Sequence, residues 1–321
     1  MTRVLVLGGT GWLSSRIAET WRDRGADVTA LARGARPSPT GTALVSADRD
    51  APGAYDAVRG QFWDEIVDVS SRADQVRAAT TALGDRSAHW TYVSTVSVYA
   101  DDSTIGADES APLLVPARPG EPEEYGPQKV AAEDAVRALP VPTSILRPTL
   151  IAGVGDPTGR LGYWPAAFAR AGAGPVLVPP LDDAHVQLID VSDVARFAAS
   201  TERTGTVNVA GDPIPLREVL EVARSVAGHT GEVVEAPGGW LEEHGVGYWA
   251  GERSLTLWLP AGMPGFTSRA NRAYIRAGGT ITPLHDIVTA TVGDERMRGL
   301  DRPRPAGLTR EQELTLIDRL P

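Results

Sequence analysis

Short apolar, β-branched runs alternate with longer helix-like stretches through the first half of the chain. Runs at Arg3–Leu7, Asp27–Leu31, Thr42–Ser46, Glu65–Val69, His89–Ser94 and Thr143–Leu146 read as strands. Between them, Trp12–Arg24, Ala73–Leu83 and Tyr125–Leu139 read as helices. Strands that alternate with helices in this way predict βαβ units, and so an α/β fold built on a doubly wound, Rossmann-like parallel sheet. After Arg147-Pro148 the pattern changes to Gly- and Pro-rich sequence from Gly153 to Pro180. Beyond it, Gln187–Val191 and Thr206–Val209 read as further strands joined by a helix at Val191–Ser200. Long connections leaving the carboxyl edge of a parallel sheet are where a substrate lobe is built. The expected division is therefore a dinucleotide-binding domain at 1–151, completed by 184–210, with a smaller, mainly C-terminal substrate lobe from 152–183 and 211–321.

Composition narrows the class. At 321 residues, with 42% hydrophobic and 22% charged residues, the chain has enough apolar surface for a large core and reads as globular. A net charge of −10 without a basic run argues against a partner recognised through its phosphate backbone, so nucleic acid is not expected. There is no cysteine, and none of the five histidines has another three or four residues away, so no metal site is expected. The apolar run Val4–Leu7 is too short for a signal peptide or a membrane span, and the expected location is the cytoplasm.

Candidate chemistry begins at that same run. Val4-Leu5-Val6-Leu7-Gly8-Gly9-Thr10-Gly11-Trp12-Leu13-Ser14 is a strand, a glycine turn and the start of a helix. Such a turn lets the main chain approach a pyrophosphate and offers it the N–H groups of a helix N-terminus. Ser14 replaces the third glycine of the motif and is small enough to keep helix and strand close. At the end of the second strand, where a carboxylate would bind ribose hydroxyls, the sequence is Ala32-Arg33-Gly34-Ala35-Arg36. Two arginines and no acid favour NADP(H) over NAD(H). Asp48 and Arg49 would edge the adenine pocket.

Tyr125 and Lys129 stand four residues apart, one above the other on a helix face. A tyrosine with a pKa of about 10 is a poor base at neutral pH, and a neighbouring ammonium brings it nearer the working range. Lys129 is the single lysine of the chain, in a composition that otherwise uses arginine for every cation. Thr95, at the carboxyl end of the strand Tyr92–Ser94, would hold a substrate oxygen, with Ser97 as the alternative.

The glycine turn, Ser94-Thr95-x-x-Val98-Tyr99, Tyr125-x-x-x-Lys129, Leu146-Arg147-Pro148 and Asp190-Val191-Ser192-Asp193-Val194-Ala195 together resemble the extended short-chain dehydrogenase/reductase superfamily, in its NAD-dependent epimerase/dehydratase group. The resemblance runs over about residues 3–210. It implies Tyr125 as acid/base, Lys129 as its partner and Thr95 as the hydroxyl on the reacting oxygen. Cofactor contacts are expected at Gly8, Thr10, Gly11, Trp12, Leu13, Arg33, Arg36, Asp48, Arg49, Ser70, Ser71, Tyr125, Lys129 and Pro148. The resemblance also implies a homodimer.

Departures from the family sharpen the expectation. Val96 and Ser97 stand where 4,6-dehydratases carry an Asp-Glu pair, which argues against dehydration. Arg147-Pro148-Thr149-Leu150 stands where sugar-nucleotide epimerases resemble one another in an Asn after an Arg-Tyr-Phe segment, and Val186-Gln187-Leu188 where they carry an Arg-Asp-Phe run that grips the diphosphate, which argues against a UDP- or dTDP-sugar substrate. Substrate contacts are expected at Thr95, Ser97, Arg160, Tyr163 and Trp164, and the lobe also carries Trp240, Trp249 and Trp258. The leading reading is an NADP(H)-dependent oxidoreductase acting on a secondary alcohol or ketone of a small sugar-like or natural-product substrate. A sugar epimerase that retains its cofactor is the alternative, and a non-catalytic cofactor-sensing or RNA-binding relative is a third reading.

Overall fold

The structure is a computed structural model that describes residues 1–120 and 124–320. The chain divides into two compact units. The first holds 1–150, 191–211 and 269–280, and the second holds 151–190, 212–268 and 281–321.

The first unit is built on β1 (Arg3–Leu7), β2 (Asp27–Ala32), β3 (Ala43–Ser46), β4 (Glu65–Asp68), β5 (Trp90–Val93) and β6 (Thr143–Pro148). In the second unit, β7 (Leu150–Ala152), β8 (Val176–Val178) and β9 (His185–Asp190) follow, before the chain returns to the first as β10 (Gly205–Val209). The seven strands of the first unit pair in parallel in the order β10-β6-β5-β4-β1-β2-β3. Both faces of the central strands are covered: Val4–Leu7, all of β4 and all of β5 are buried. Along β1, Leu5 and Leu7 join one apolar cluster with Ile66, Trp90 and Tyr92 of the sheet. Val76, Ala79 and Leu83 of α2 (Ala73–Leu83) and Ala132 and Val136 of α3 (Tyr125–Arg137) complete that cluster. On α1 (Trp12–Asp23), Ile17, Ala18 and Trp21 are buried.

The second unit contains α4 (Tyr163–Ala171) and a sheet in the order β11-β9-β7, where β11 is Pro213–Pro215. The strand read at Gln187–Val191 is expected within the segment 184–210 that completes the dinucleotide-binding domain. Instead it pairs antiparallel with β11 and belongs to the second unit, while 269–280 joins the first. The α5 helix (Val191–Ala198) belongs to the first unit. Further elements of the second unit are α6 (Leu216–Ala227), β12 (Val233–Glu235), α7 (Gly238–Glu243), β13 (Gly247–Trp249) and β14 (Ser254–Thr256). The short α8 (Arg272–Arg276) lies in the first unit, and α9 (Leu284–Arg298) and α10 (Arg310–Ile317) close the second. No helix among the described residues is long and apolar enough to cross a membrane.

Candidate active site

The strand order of the first sheet reverses between β1 and β4, and a crevice at the carboxyl ends of such strands is where α/β sheets bind ligands. A cleft of about 720 Å³ lies there, bordered by Gly8, Thr10 and Gly11 of the glycine turn. Local packing dictates the glycines. Gly8 has φ +78°, and its N–H donates to the Leu31 carbonyl at 2.8 Å. A Cβ on Gly9 would stand 2.7 Å from that of Ala30, so β2 can run against the turn only if this residue has no side chain. Ser14 is buried, and its hydroxyl donates to the Gly8 carbonyl at 2.6 Å, so it closes the turn by a hydrogen bond as well as by its small size. No side chain caps α1 at Gly11, an arrangement suited to an anionic diphosphate. The volume, the bare turn and the helix terminus fit a dinucleotide.

Arg33, Arg36, Asp48, Arg49, Ser70 and Ser71 also line this cleft, as the sequence predicts. Their side chains are not equivalent. Arg33 and Arg36 are exposed, whereas Arg49 is committed to the protein. Its guanidinium grips Asp68 through two bonds of 2.8 and 2.6 Å and donates to the Tyr55 hydroxyl at 3.1 Å and the Gln75 carbonyl at 3.0 Å. Burial works against the Arg49 charge, but Asp68 and Tyr55 outweigh it and raise its pKa. Asp68 was not singled out from the sequence. It also accepts the Ser70 N–H at 2.9 Å and so shapes the loop after β4. A carboxylate ending an otherwise apolar buried strand was the available signal.

Trp12, Leu13, Tyr125, Lys129 and Pro148 do not border the cleft. Pro148 is buried in β6, paired with Val209. Tyr125 opens α3 and is 51% exposed, while Lys129, one turn on, is buried. The Lys129 ammonium donates to the carbonyls of Ser70 at 3.0 Å and Val93 at 2.6 Å, and lies 4.8 Å from the Tyr92 ring centre and 6.0 Å from that of Tyr125. Burial pushes its pKa down to about 8, against the opposing pull of Asp68 and Glu133.

Thr95 caps the single 3-10 turn Val96–Val98 that follows β5. Its hydroxyl accepts the Ser97 N–H at 3.1 Å and lies 3.2 Å from the Ser97 hydroxyl. Gly126 brings this turn and α3 together: a Cβ there would fall 2.5 Å from the Ser97 carbonyl oxygen. Thr95, Ser97, Tyr125 and Lys129 thus share one edge of the first unit.

The register of α3 is held from below. Glu133, a further turn beyond Lys129, is buried and receives Arg147 of β6 through bonds of 2.9 and 2.7 Å. Arg147 also donates to the Tyr99 hydroxyl at 3.0 Å, and the Tyr99 ring lies between the guanidiniums of Arg147 and Arg269, 4.9 and 4.4 Å from its centre. From the side, Gln128 accepts the Ala73 N–H that begins α2 at 2.9 Å. The chain's two asparagines serve structure in this unit: Asn208 accepts from Tyr99 at 2.6 Å, and Asn271 donates to the Gly211 carbonyl at 3.2 Å.

Two of the three expected substrate contacts in the second unit, Tyr163 and Trp164, need correction. Tyr163 and Trp164 are fully buried, packed edge to face at 4.9 Å, with the Trp164 indole N–H donating to the Thr256 carbonyl at 3.0 Å. They are core residues because α4 turns these bulky rings inward, which the glycine-rich loop before it did not reveal. Arg160 lies over the Trp249 ring at 5.3 Å. Where the resemblance would place a diphosphate grip, Val186, Gln187 and Leu188 are buried in β9.

The first unit thus combines a doubly wound sheet, a glycine turn at its order reversal and a Tyr–Lys pair opening the helix before β6. Among solved structures, the chain is similar to a provisionally assigned epimerase of Burkholderia cenocepacia J2315, with 22% identity, 92% of this chain and 98% of that one covered, and a TM-score of 0.72. It is similar to the Bordetella bronchiseptica enzyme WbmG in complex with NAD, with 17% identity, coverage of 95% and 96%, and a TM-score of 0.68. The UDP-N-acetylglucosamine 4-epimerase of Bacillus cereus aligns at 16% identity over 96% of this chain and 100% of that one, with a TM-score of 0.68. No protein-family model and no curated protein sequence matches the chain.

Proposed function

We propose that the chain is a nicotinamide-dinucleotide-dependent enzyme that epimerises a secondary alcohol of a sugar-like substrate by transient oxidation, with its cofactor retained. The observation that carries this reading is the buried Lys129 ammonium, fixed by the Ser70 and Val93 carbonyls one helical turn from a half-exposed Tyr125. Epimerases among the structural neighbours support it. Gly8, Thr10 and Gly11 would hold the dinucleotide, which supplies the hydride acceptor when bound. Tyr125 takes the proton of the substrate hydroxyl and returns it, and the positive charge of Lys129 stabilises the phenolate between the two transfers. Thr95 holds the substrate oxygen. The exposed Arg33 and Arg36 support a 2′-phosphate on the cofactor, although WbmG was solved with NAD. The same two arginines favour a second reading, net reduction of a ketone by exchangeable NADPH.

One preparation tests both readings. Cofactor released on denaturation is identified by mass, and sugar substrates are followed for stereoisomer exchange together with nicotinamide absorbance. Exchange without absorbance change supports the epimerase, and stoichiometric NADPH loss supports the reductase. Tyr125→Phe is expected to abolish either activity while cofactor binding stays within about twofold, since the phenol acts on the proton and not on the dinucleotide. Unchanged turnover in that variant refutes the mechanism.

A further inference from the structure

Two buried carboxylates lie within electrostatic reach of Lys129: Asp68, which ends β4, and Glu133, one turn further along α3. Among the described residues, however, the ammonium bonds to the main-chain carbonyls of Ser70 and Val93. Each acid is held by an arginine instead. Arg49, whose side chain is 8% exposed, meets Asp68 through bonds of 2.8 and 2.6 Å, and Arg147 meets Glu133 through bonds of 2.9 and 2.7 Å. The single lysine of the chain therefore lies beside two acids whose charges are already answered.

The groups facing Lys129 are Asp68 from β4, Tyr92 from β5, and Tyr125 and Glu133 from α3. Those facing Asp68 are Arg49, Tyr55, Tyr92 and Lys129, and among them only Arg49 and Lys129 are cations. A buried carboxylate left without a partner is costly, so one deprived of Arg49 would draw Lys129 to itself. The main chain follows the same pair. Asp68 accepts the Ser70 N–H at 2.9 Å, and the Ser70 carbonyl accepts both Lys129, at 3.0 Å, and the Tyr92 hydroxyl, at 2.9 Å.

We propose that Arg49 is a positioning residue for the Tyr125–Lys129 pair and acts through Asp68: by engaging that carboxylate, it keeps the Lys129 ammonium on the Ser70 and Val93 carbonyls, one helical turn from Tyr125. This inference rests on the reading of Tyr125 as the acid/base. It gives Arg49, which lines the dinucleotide cleft, a part in the chemistry that no contact with cofactor is needed to explain. Without Arg49 the ammonium turns towards Asp68, and the Tyr125 phenolate loses its positive neighbour.

The test follows the ionisation of Tyr125 in the cofactor-free full chain by tyrosinate absorbance in an alkaline titration. Subtracting the titration of the same protein carrying Tyr125→Phe isolates that one phenol. Arg49→Met keeps an apolar stem and removes the charge, and should raise the Tyr125 midpoint by about half to one pH unit, as expected for a unit charge displaced by a few ångström at an effective dielectric constant of about 20. In an Asp68→Asn background the same change should shift the midpoint by less than about 0.2, because no carboxylate remains to draw Lys129 away. A contact that serves stability alone, or a guanidinium charge felt directly by the phenol, would shift both backgrounds alike. Equal shifts, or no shift in either background, overturn the proposal. Thermal midpoints establish folding, and Arg49→Gln, which keeps one hydrogen bond to Asp68, carries the same comparison if Arg49→Met does not fold. Failure here is distinct from failure of the acid/base reading, which is decided by turnover in Tyr125→Phe.

Discussion

Glu133→Gln isolates the contact that fixes α3 and so the height of Tyr125 above the sheet edge. In the native protein Arg147 and Glu133 are both buried and joined by two charge-assisted bonds, with Arg137 as a partly exposed third member. Glutamine keeps the shape and one acceptor but sets an NH₂ group against a guanidinium whose other bonds go to the Tyr99 hydroxyl and the Glu109 main-chain carbonyl. Breaking a buried pair at one member costs about 3–5 kcal/mol, because the remaining charge is left uncompensated. For a domain of this size, a loss of that order lowers the melting midpoint by roughly 10 °C. Thermal unfolding followed by far-UV circular dichroism at pH 7 measures it. The double variant Glu133→Leu/Arg147→Met should be less destabilised than either single change, since it removes both charges together. Burial raises the Glu133 pKa, but Arg147 prevails and holds it below its ordinary 4.5. The stabilisation from this carboxylate is therefore complete above 4.5 and is lost as pH falls through the lower folded value, and the variant should lack that part of the acid limb. A midpoint within 2 °C of the parent, at about 1 kcal/mol or less, would refute the argument that this pair pins the helix.

Other consequences concern the site directly. With the Lys129 pKa pushed down to about 8 from 10.5, the unfolded chain binds more protons than the folded one between those values. Stability of the cofactor-free protein relative to Lys129→Met should then rise across that window, by up to about 3 kcal/mol, and a flat difference in urea unfolding would contradict it. Arg33→Ala should weaken NADPH binding about ten- to a hundredfold and leave NADH nearly untouched, because a lost charge-assisted phosphate bond accounts for roughly 1.5–3 kcal/mol; equal losses in a calorimetric titration would dismiss the 2′-phosphate assignment. Gly126→Ala should lower kcat more than stability, which should fall by about 1–3 kcal/mol, as the new methyl drives α3 off the Ser97 carbonyl. Steady-state kinetics beside unfolding would separate the two effects.

Much of the first unit was legible because its signals are local. The runs around β1, β2 and β5 are apolar enough to be strands in any context that buries both sheet faces, and the turn at Gly8–Gly11 announces itself by steric necessity. The four-residue spacing of Tyr125 and Lys129 likewise follows from helix geometry alone. What the sequence could not show is pairing between distant segments. Whether 185–190 extends the large sheet or joins β11 depends on partners far along the chain, and an apolar strand satisfies either arrangement. Tyr163 and Trp164 read equally well as pocket wall or core until α4 turned them inward. Arg49 looked like a ligand contact, and only the tertiary structure delivered Asp68 to it from another strand. The residue types of the candidate site were thus determined by sequence, because single side chains and short spacings encode them. The partners that tune and orient those side chains, Ser70, Val93 and Arg147 among them, were decided by the fold, because a buried charge takes whichever groups the packed chain brings within reach.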